Sequence, residues 1–192
     1  MMSLIRKTIL ILLALLFCSQ FGLADNLGVG DRVPDFTLTN HHGEKTSLSG
    51  FKGKGVVLSF LYTQCPYPTK CKMIGKKLAA LDEVSAKLGD DKIQVLAITI
   101  DPKNDTPEVL KEYAQGFDKS HENWLFLTGS ENDVAKIAGA FGVIYWDENG
   151  VIEHNMKTVF IDPEGTVQLI KSGSDWRAGE FAAQIKDIID NE

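Results

Sequence analysis

The stretch from Val56 to Lys77, VVLSFLYTQCPYPTKCKMIGKK, limits the possible folds more than any other part of this chain. It begins as an apolar run, Val56 to Tyr62, whose β-branched and aromatic residues predict a buried strand. The run breaks at Thr63, Gln64 and Cys65-Pro66, and again at Pro68. From Lys70 to Leu88, apolar Met73, Ile74, Leu78, Leu81, Val84 and Leu88 recur at helical spacing, which predicts a helix. Two cysteines bracket the break, Cys65 at the strand's end and Cys71 in the helix's first turn. The unpaired N–H groups and the dipole at a helix start favour a thiolate, the form that attacks disulfides and binds soft metals. A structural disulfide closing a small loop is the plainer use of such a pair, but its place on a strand–helix turn favours a working one.

The rest of the chain surrounds that unit with more strands and helices. Val33 to Leu38 begins a strand, Asn40-His41-His42-Gly43 is a turn, and Lys45 to Leu48 a second short strand. His41 and His42, adjacent at a hairpin tip, read as solvated turn residues. Lys92 to Ile100 is another buried strand ending at Asp101-Pro102. Thr106 suits a helix N-cap with Pro107 at the first helical position, and Val109, Leu110, Tyr113 and Phe117 face inward. Trp124 to Leu127 reads as a strand, Glu131 to Phe141 as a helix, and Val143 to Val151 as irregular. Thr158 to Asp162 and Val167 to Ile170 flank a tight turn at Pro163-Glu164-Gly165, and Trp176 to Ile189 is a closing amphipathic helix.

Strand–helix alternation in the middle implies parallel pairing, and the tight turn at Gly165 implies an antiparallel hairpin at one edge. The fold class is therefore α/β, a thioredoxin-like fold with a mixed central sheet flanked by helices. The cysteine break falls at the carboxyl end of a central strand, where open α/β sheets place their sites.

The 192 residues, without repeats or a linker-like tract, are enough for one domain. A formal charge of −6 argues against nucleic-acid binding and leaves no basic stripe for an anionic membrane. Residues 1–24 stand apart: Arg6 and Lys7 precede an apolar run, Thr8 to Phe17, and Gly22-Leu23-Ala24 has the pattern of a cleavage site. We read 1–24 as a signal peptide, or alternatively a membrane anchor, and 25–192 as the folded domain of an exported, periplasmic protein. Loss of Cys18 with that segment leaves Cys65 and Cys71 as a short pair in an oxidising compartment.

Three motifs together resemble one family. TIDPKNDTPEVLKEYA (Thr99 to Ala114), FLYTQCP (Phe60 to Pro66) and EHNMKTVFIDPEG (Glu153 to Gly165) are similar to the Sco/SenC proteins. The resemblance covers about Val33 to Trp176 and implies a thioredoxin-fold factor that delivers copper to cytochrome c oxidase. It implies copper ligands at Cys65, Cys71 and His154, and as partner the oxidase's copper-site subunit or another copper-receiving protein. The ligand chemistry is sound from first principles, because thiolates select Cu(I) and imidazole suits copper in either oxidation state. The usual family spacing leaves three residues between the cysteines. Here five intervene, resembling a variant subgroup with a Cys-Pro-x-Pro-x-x-Cys motif, which the Ser172-Gly173-x-Asp175-Trp176 stretch also fits. Six positions on a regular helix rise about 9 Å, more than a disulfide spans. Pro66 and Pro68 must therefore curl the loop if both sulfurs serve one site.

The alternative reading is a thiol–disulfide oxidoreductase in which Cys65 attacks and Cys71 resolves, with a thiol reductant as a further partner. The absence of a proline in Met156-Lys157-Thr158, where thioredoxins carry one, weighs against general disulfide exchange. Glu153 and Asp101 are candidates to orient the site. Met73 and Met156 are conceivable thioether ligands, with Met73 expected in the core. Trp124 and Trp176 read as packing residues and His121 as solvent-facing.

Overall fold

A computed structural model of the chain describes residues 26–67, 70–88, 92–117 and 123–191. The expected N-terminal signal segment, Pro68 and His121 lie outside the described residues.

The apolar run after Lys54 forms β3 (Gly55–Leu61), and the run after Lys92 forms β4 (Ile93–Thr99); every residue of both is buried. They pair in parallel, with Leu58 opposite Leu96 and Leu61 opposite Thr99. Strands apolar on both faces need cover on both faces, which explains why their sequences run without polar alternation. Strand β5 (Trp124–Thr128) extends the parallel set on β4. Beyond it lie β1 (Thr37–Asn40) and β2 (Lys45–Ser47), both antiparallel. On the other flank, β8 (Lys157–Ile161) pairs antiparallel with β3 and carries β9 (Val167–Ser172) at the edge. The seven-stranded order is β2-β1-β5-β4-β3-β8-β9, so the cysteine-bearing β3 lies inside the sheet.

Among the described residues four α-helices accompany it: α1 (Cys71–Leu88), α2 (Pro107–Ala114), α3 (Glu131–Ala140) and α4 (Ala178–Asp190). Helices α1 and α4 pack against each other and bury Ile74, Leu78, Phe181 and Ile185. The expected cap at Thr106 is present, its hydroxyl accepting from the Val109 N–H, with Pro107 at the first position of α2. Gly75 permits a close approach on α1: a Cβ there would lie 2.4 Å from the Phe117 ring.

Three expectations fail. Val143 to Val151, read as irregular, instead contains most of a two-stranded hairpin, β6 (Tyr145–Glu148) and β7 (Val151–His154), separate from the main sheet. Its loop is Asn149-Gly150, both with positive φ (57° and 84°), the conformation that a tight two-residue hairpin turn demands. His41 is not solvated. It is 8% exposed, and its Nδ1 accepts from the Phe126 N–H at 3.2 Å, because β1 lies along β5 and carries the turn onto it. Burial, and the neighbouring His42, push its pKa down to about 4. Met73, expected in the core, is only half-buried.

Candidate metal and thiol site

The site forms where β3 ends, α1 begins and the β6–β7 hairpin returns. Cys71 is the first residue of α1 and is 1% exposed, while Cys65 lies half-buried in the preceding loop. The intervening loop does curl: the Lys70 N–H donates to the Tyr67 carbonyl at 3.0 Å, and Ile74 N–H then donates to Lys70. The rise of a regular helix therefore does not separate the two sulfurs. Both thiols are free, with the Cys65 sulfur 3.8 Å from the Tyr67 carbonyl and the Cys71 sulfur turned toward the β6–β7 hairpin.

His154, at the end of β7, is 8% exposed and brings Nε2 to 3.7 Å from the Cys71 sulfur. Its Nδ1 lies 2.8 Å from the Asn155 carbonyl, which can only accept, so Nδ1 carries the proton. The Nε2 lone pair then faces Cys71. Burial holds the imidazole's pKa below its ordinary value, so at neutral pH it is already the uncharged form a metal requires. Asn155 is fixed in turn, accepting from the Ile144 N–H at 2.9 Å and donating to the Gly142 carbonyl at 2.8 Å. The ring's tautomer and tilt are thus set by the fold.

The two cysteines differ electrostatically. The neighbouring Cys71 thiol is the largest cause that brings Cys65 down to about 5. The Cys71 backbone N–H, at the start of α1, adds to it. Cys71 moves the opposite way, pushed up by the neighbouring Cys65 and by burial. At neutral pH the pair therefore carries one proton, on buried Cys71, and the thiolate is on the more accessible Cys65. The Tyr62 ring meets His154 edge-on with centroids 6.2 Å apart, closing the site on its inner side. In reduced, metal-free protein, iodoacetamide should label Cys65 with a rate midpoint near pH 5 and leave Cys71 unlabelled. Peptide mapping across a pH series reads this directly. A midpoint near the ordinary thiol value would remove the one-proton arrangement.

A metal fit can be checked from the distances. A d10 ion holding sulfur at about 2.3 Å and imidazole nitrogen at about 2.0 Å, with the donors 3.7 Å apart, makes an angle of about 120°. Cys71 and His154 therefore already stand as two corners of a three-coordinate site. Among the described residues, no three His, Cys, Asp or Glu side chains form a complete cage as they stand, so Cys65 must draw in to close it.

The other residues singled out by sequence have defined places. Glu153 accepts an ion pair from Lys70 at 2.8 Å, and Lys70 lies 4.1 Å over the Tyr67 ring. Asp101 is turned into its own loop, accepting from the Asn104 side chain at 2.9 and 3.1 Å. Met156 packs against the core. Trp124 is buried, and Trp176 packs on Phe181 and beneath Lys77. Sequence reasoning missed Asp105. It is fully buried and accepts from Thr63 N–H at 3.1 Å, from the Thr63 hydroxyl at 2.5 Å and from the Thr99 hydroxyl at 2.5 Å. It thereby anchors the strand end two residues before Cys65.

Comparison with known proteins places the fold in a family. The SCO1/SenC family model matches residues 25–190. The chain belongs to the SCO1/SenC family. Among curated relatives, an SCO2-like protein of Rickettsia typhi is 32% identical over 148 residues, covering 73% of this chain and 68% of its own length. Of solved structures, an SCO1/SenC family lipoprotein from Bacillus anthracis superposes with a TM-score of 0.73 at 28% identity, covering 88% of this chain and 97% of the other. Arabidopsis thaliana ScoI, described with copper bound, gives 0.72 at 22% identity, covering 86% and 100%. At that identity the likeness concerns the fold, which is the thioredoxin-like α/β arrangement. Among the described residues, no helix of this SCO1/SenC chain is long and apolar enough to cross a membrane.

Proposed function

We propose that this chain is an exported copper carrier of the SCO1/SenC family, holding one copper ion through Cys65, Cys71 and His154. It passes the ion to the copper-site subunit of cytochrome c oxidase or to another copper-receiving protein. Residues 1–24 serve as its signal peptide or membrane anchor. The observation that carries this reading is the Cys71–His154 contact at 3.7 Å, with the unprotonated nitrogen turned toward the sulfur. Relatives support it: Arabidopsis thaliana ScoI is described with copper bound, and BsSco as a member of the Sco family of cytochrome c oxidase assembly proteins. Soft sulfur donors and an imidazole suit copper, and three ligands leave the ion open to an incoming donor.

The single proton on the pair has a consequence for binding. Cys65 is a thiolate at neutral pH, whereas Cys71 must give up its proton to bind, so uptake should release about one proton per ion. The test is anaerobic titration of the reduced protein with copper, repeated for His154→Ala. Wild type should bind one equivalent, and the variant should bind at least about ten-fold more weakly and lose the nitrogen hyperfine signature in its Cu(II) form. Unchanged affinity and spectrum in the variant would remove His154 from the ligand set.

A second reading rests on the unequal thiols. The Cys65 thiolate attacks a client disulfide, forming a mixed disulfide and expelling one client thiolate. Cys71, losing its proton, then attacks the Cys65 sulfur and expels the client's sulfur from the mixed disulfide as the second client thiol. The chain leaves as the Cys65–Cys71 disulfide, having given two electrons to the client, and a thiol reductant restores it. Trapping of a client on Cys65 in the Cys71→Ser variant supports this use of the pair. Failure to trap any disulfide substrate argues for the carrier role alone.

A further inference from the structure

The β6–β7 hairpin delivers the histidine, yet it shares no hydrogen-bonded ladder with the seven-stranded sheet. Two-stranded hairpins are marginal on their own, so what ties this one down sets where the imidazole sits. Its inner face, Tyr145 and Ile152, packs on the core, and Asn155 is bonded to the loop before it. Toward the cysteines the tie is polar. Lys70 reaches Glu153 at 2.8 Å with both side chains partly exposed, and its ammonium lies 4.1 Å over the Tyr67 ring.

The placement follows from the backbone. Lys70 and Cys71 are consecutive at the start of α1, and Glu153 and His154 are consecutive on β7. Successive strand side chains point to opposite faces, so Glu153 can face the loop surface while His154 is buried against Cys71. One step outside the thiol–imidazole contact, an ion pair thus joins the same two elements. Lys70 is the last of the five residues between the cysteines, so that segment supplies one half of this tie.

We propose that the Lys70–Glu153 ion pair, with Tyr67 packed on it, is a latch that holds His154 against Cys71, and that opening it frees the imidazole at hand-over. Lys70 and Glu153 are positioning residues and touch no copper. The mechanistic half of the proposal rests on the carrier reading above, whereas the structural half does not. Release begins when a partner's charged group competes for Lys70 or Glu153, the hairpin swings out, and the ion is left on two sulfurs with a vacant direction.

The test uses Glu153→Gln, Lys70→Gln and the charge-swapped Lys70→Glu/Glu153→Lys protein, each checked for native circular dichroism. In metal-free protein, hydrogen exchange of residues 145–154 should rise about five-fold in either single variant and return toward wild type in the swap. Loaded with Cu(I), the single variants should yield the ion to a chelator about five-fold faster, and the swap should restore the slower rate. Raising salt should speed wild type and leave the single variants unchanged. Unchanged hairpin exchange in both single variants overturns the latch, whatever the copper result. If wild type itself binds no copper, the carrier reading fails, while the exchange experiment still decides whether the latch exists. If exchange rises but copper release does not, the pair holds the hairpin and plays no part in hand-over, which refutes the proposal's second half.

Discussion

Serine in place of Cys71 is expected to lower Cu(I) affinity by more than about 100-fold, beyond the 10–100-fold that outer partners of a metal site carry. The hydroxyl keeps its proton and is a hard oxygen donor, so a soft ion loses both a charge and a matched ligand. The same change acts on Cys65 without any metal present. The Cys71 thiol is the largest cause of the depressed Cys65 value of about 5. A serine hydroxyl can still donate, so Cys71→Ser should raise Cys65 part of the way toward its ordinary value, and Cys71→Ala should raise it further. Because Cys65 is lowered in the folded protein, its contribution to stability is complete above the ordinary thiol value and is lost as pH falls through about 5. Competition with a Cu(I) chelator measures the first effect, and the pH profile of iodoacetamide labelling the second. Affinity within three-fold of wild type in Cys71→Ser would exclude Cys71 as a ligand. A Cys65 midpoint unmoved in Cys71→Ala would mean that Cys71 does not lower Cys65.

Why these residues could be found from sequence, and others not, follows from how far apart the partners lie. β3, α1 and β4 announce themselves locally: an unbroken apolar run and a helical stripe carry their burial in their own composition. The cysteines sit at the joint between two such elements, so their setting was legible too. His154 was reached through the family resemblance, since a lone loop histidine carries no local sign that it will meet a thiol 83 residues away. The hairpin that holds it is a different case. Its Asn149-Gly150 turn is a strong local signal, but Trp146, 53% exposed, and the charges of Asp147 and Glu148 give its strands no apolar alternation. The signal lay in the turn, where the irregular reading overlooked it. His41 was misread for the opposite reason, because a Gly43 turn beside it looks solvated and only the long-range β1–β5 pairing buries it. Lys70 and Glu153 each look like ordinary surface charges until the fold sets them side by side.

Asp105 is the clearest residue of that hidden kind, and its removal should be the most destabilising change near the site. In the sequence it reads as the start of α2, ahead of Thr106 and Pro107. In the fold its carboxylate accepts from the Thr63 N–H and from two threonine hydroxyls on two different segments. Asp105→Ala leaves an amide that cannot rotate to find another acceptor, at a cost of about 2–4 kcal/mol. Asp105→Asn keeps one acceptor oxygen, and its amide can donate to a rotated hydroxyl, so its cost should be under about half of that. Burial raises the Asp105 carboxyl above its ordinary value, although the Thr63 and Thr99 bonds pull the other way. The folded state therefore holds this proton more tightly than the unfolded chain does. Its contribution is complete below the unfolded value near 3.8 and is lost as pH rises through the raised folded value. Asparagine cannot ionise, so the gap between wild type and Asp105→Asn should be widest at the acid end and narrow toward neutral pH. Urea unfolding of the three proteins across that range checks both claims. The loosened strand end should also reach the site, so that Asp105→Ala binds copper about ten-fold more weakly while Asp105→Asn stays near wild type. An alanine variant as stable as wild type would mean that Thr63 and Thr99 find other partners and that the carboxylate does not anchor the cysteine loop. An asparagine variant as damaged as alanine would instead show that the charge, rather than the acceptor, holds the loop.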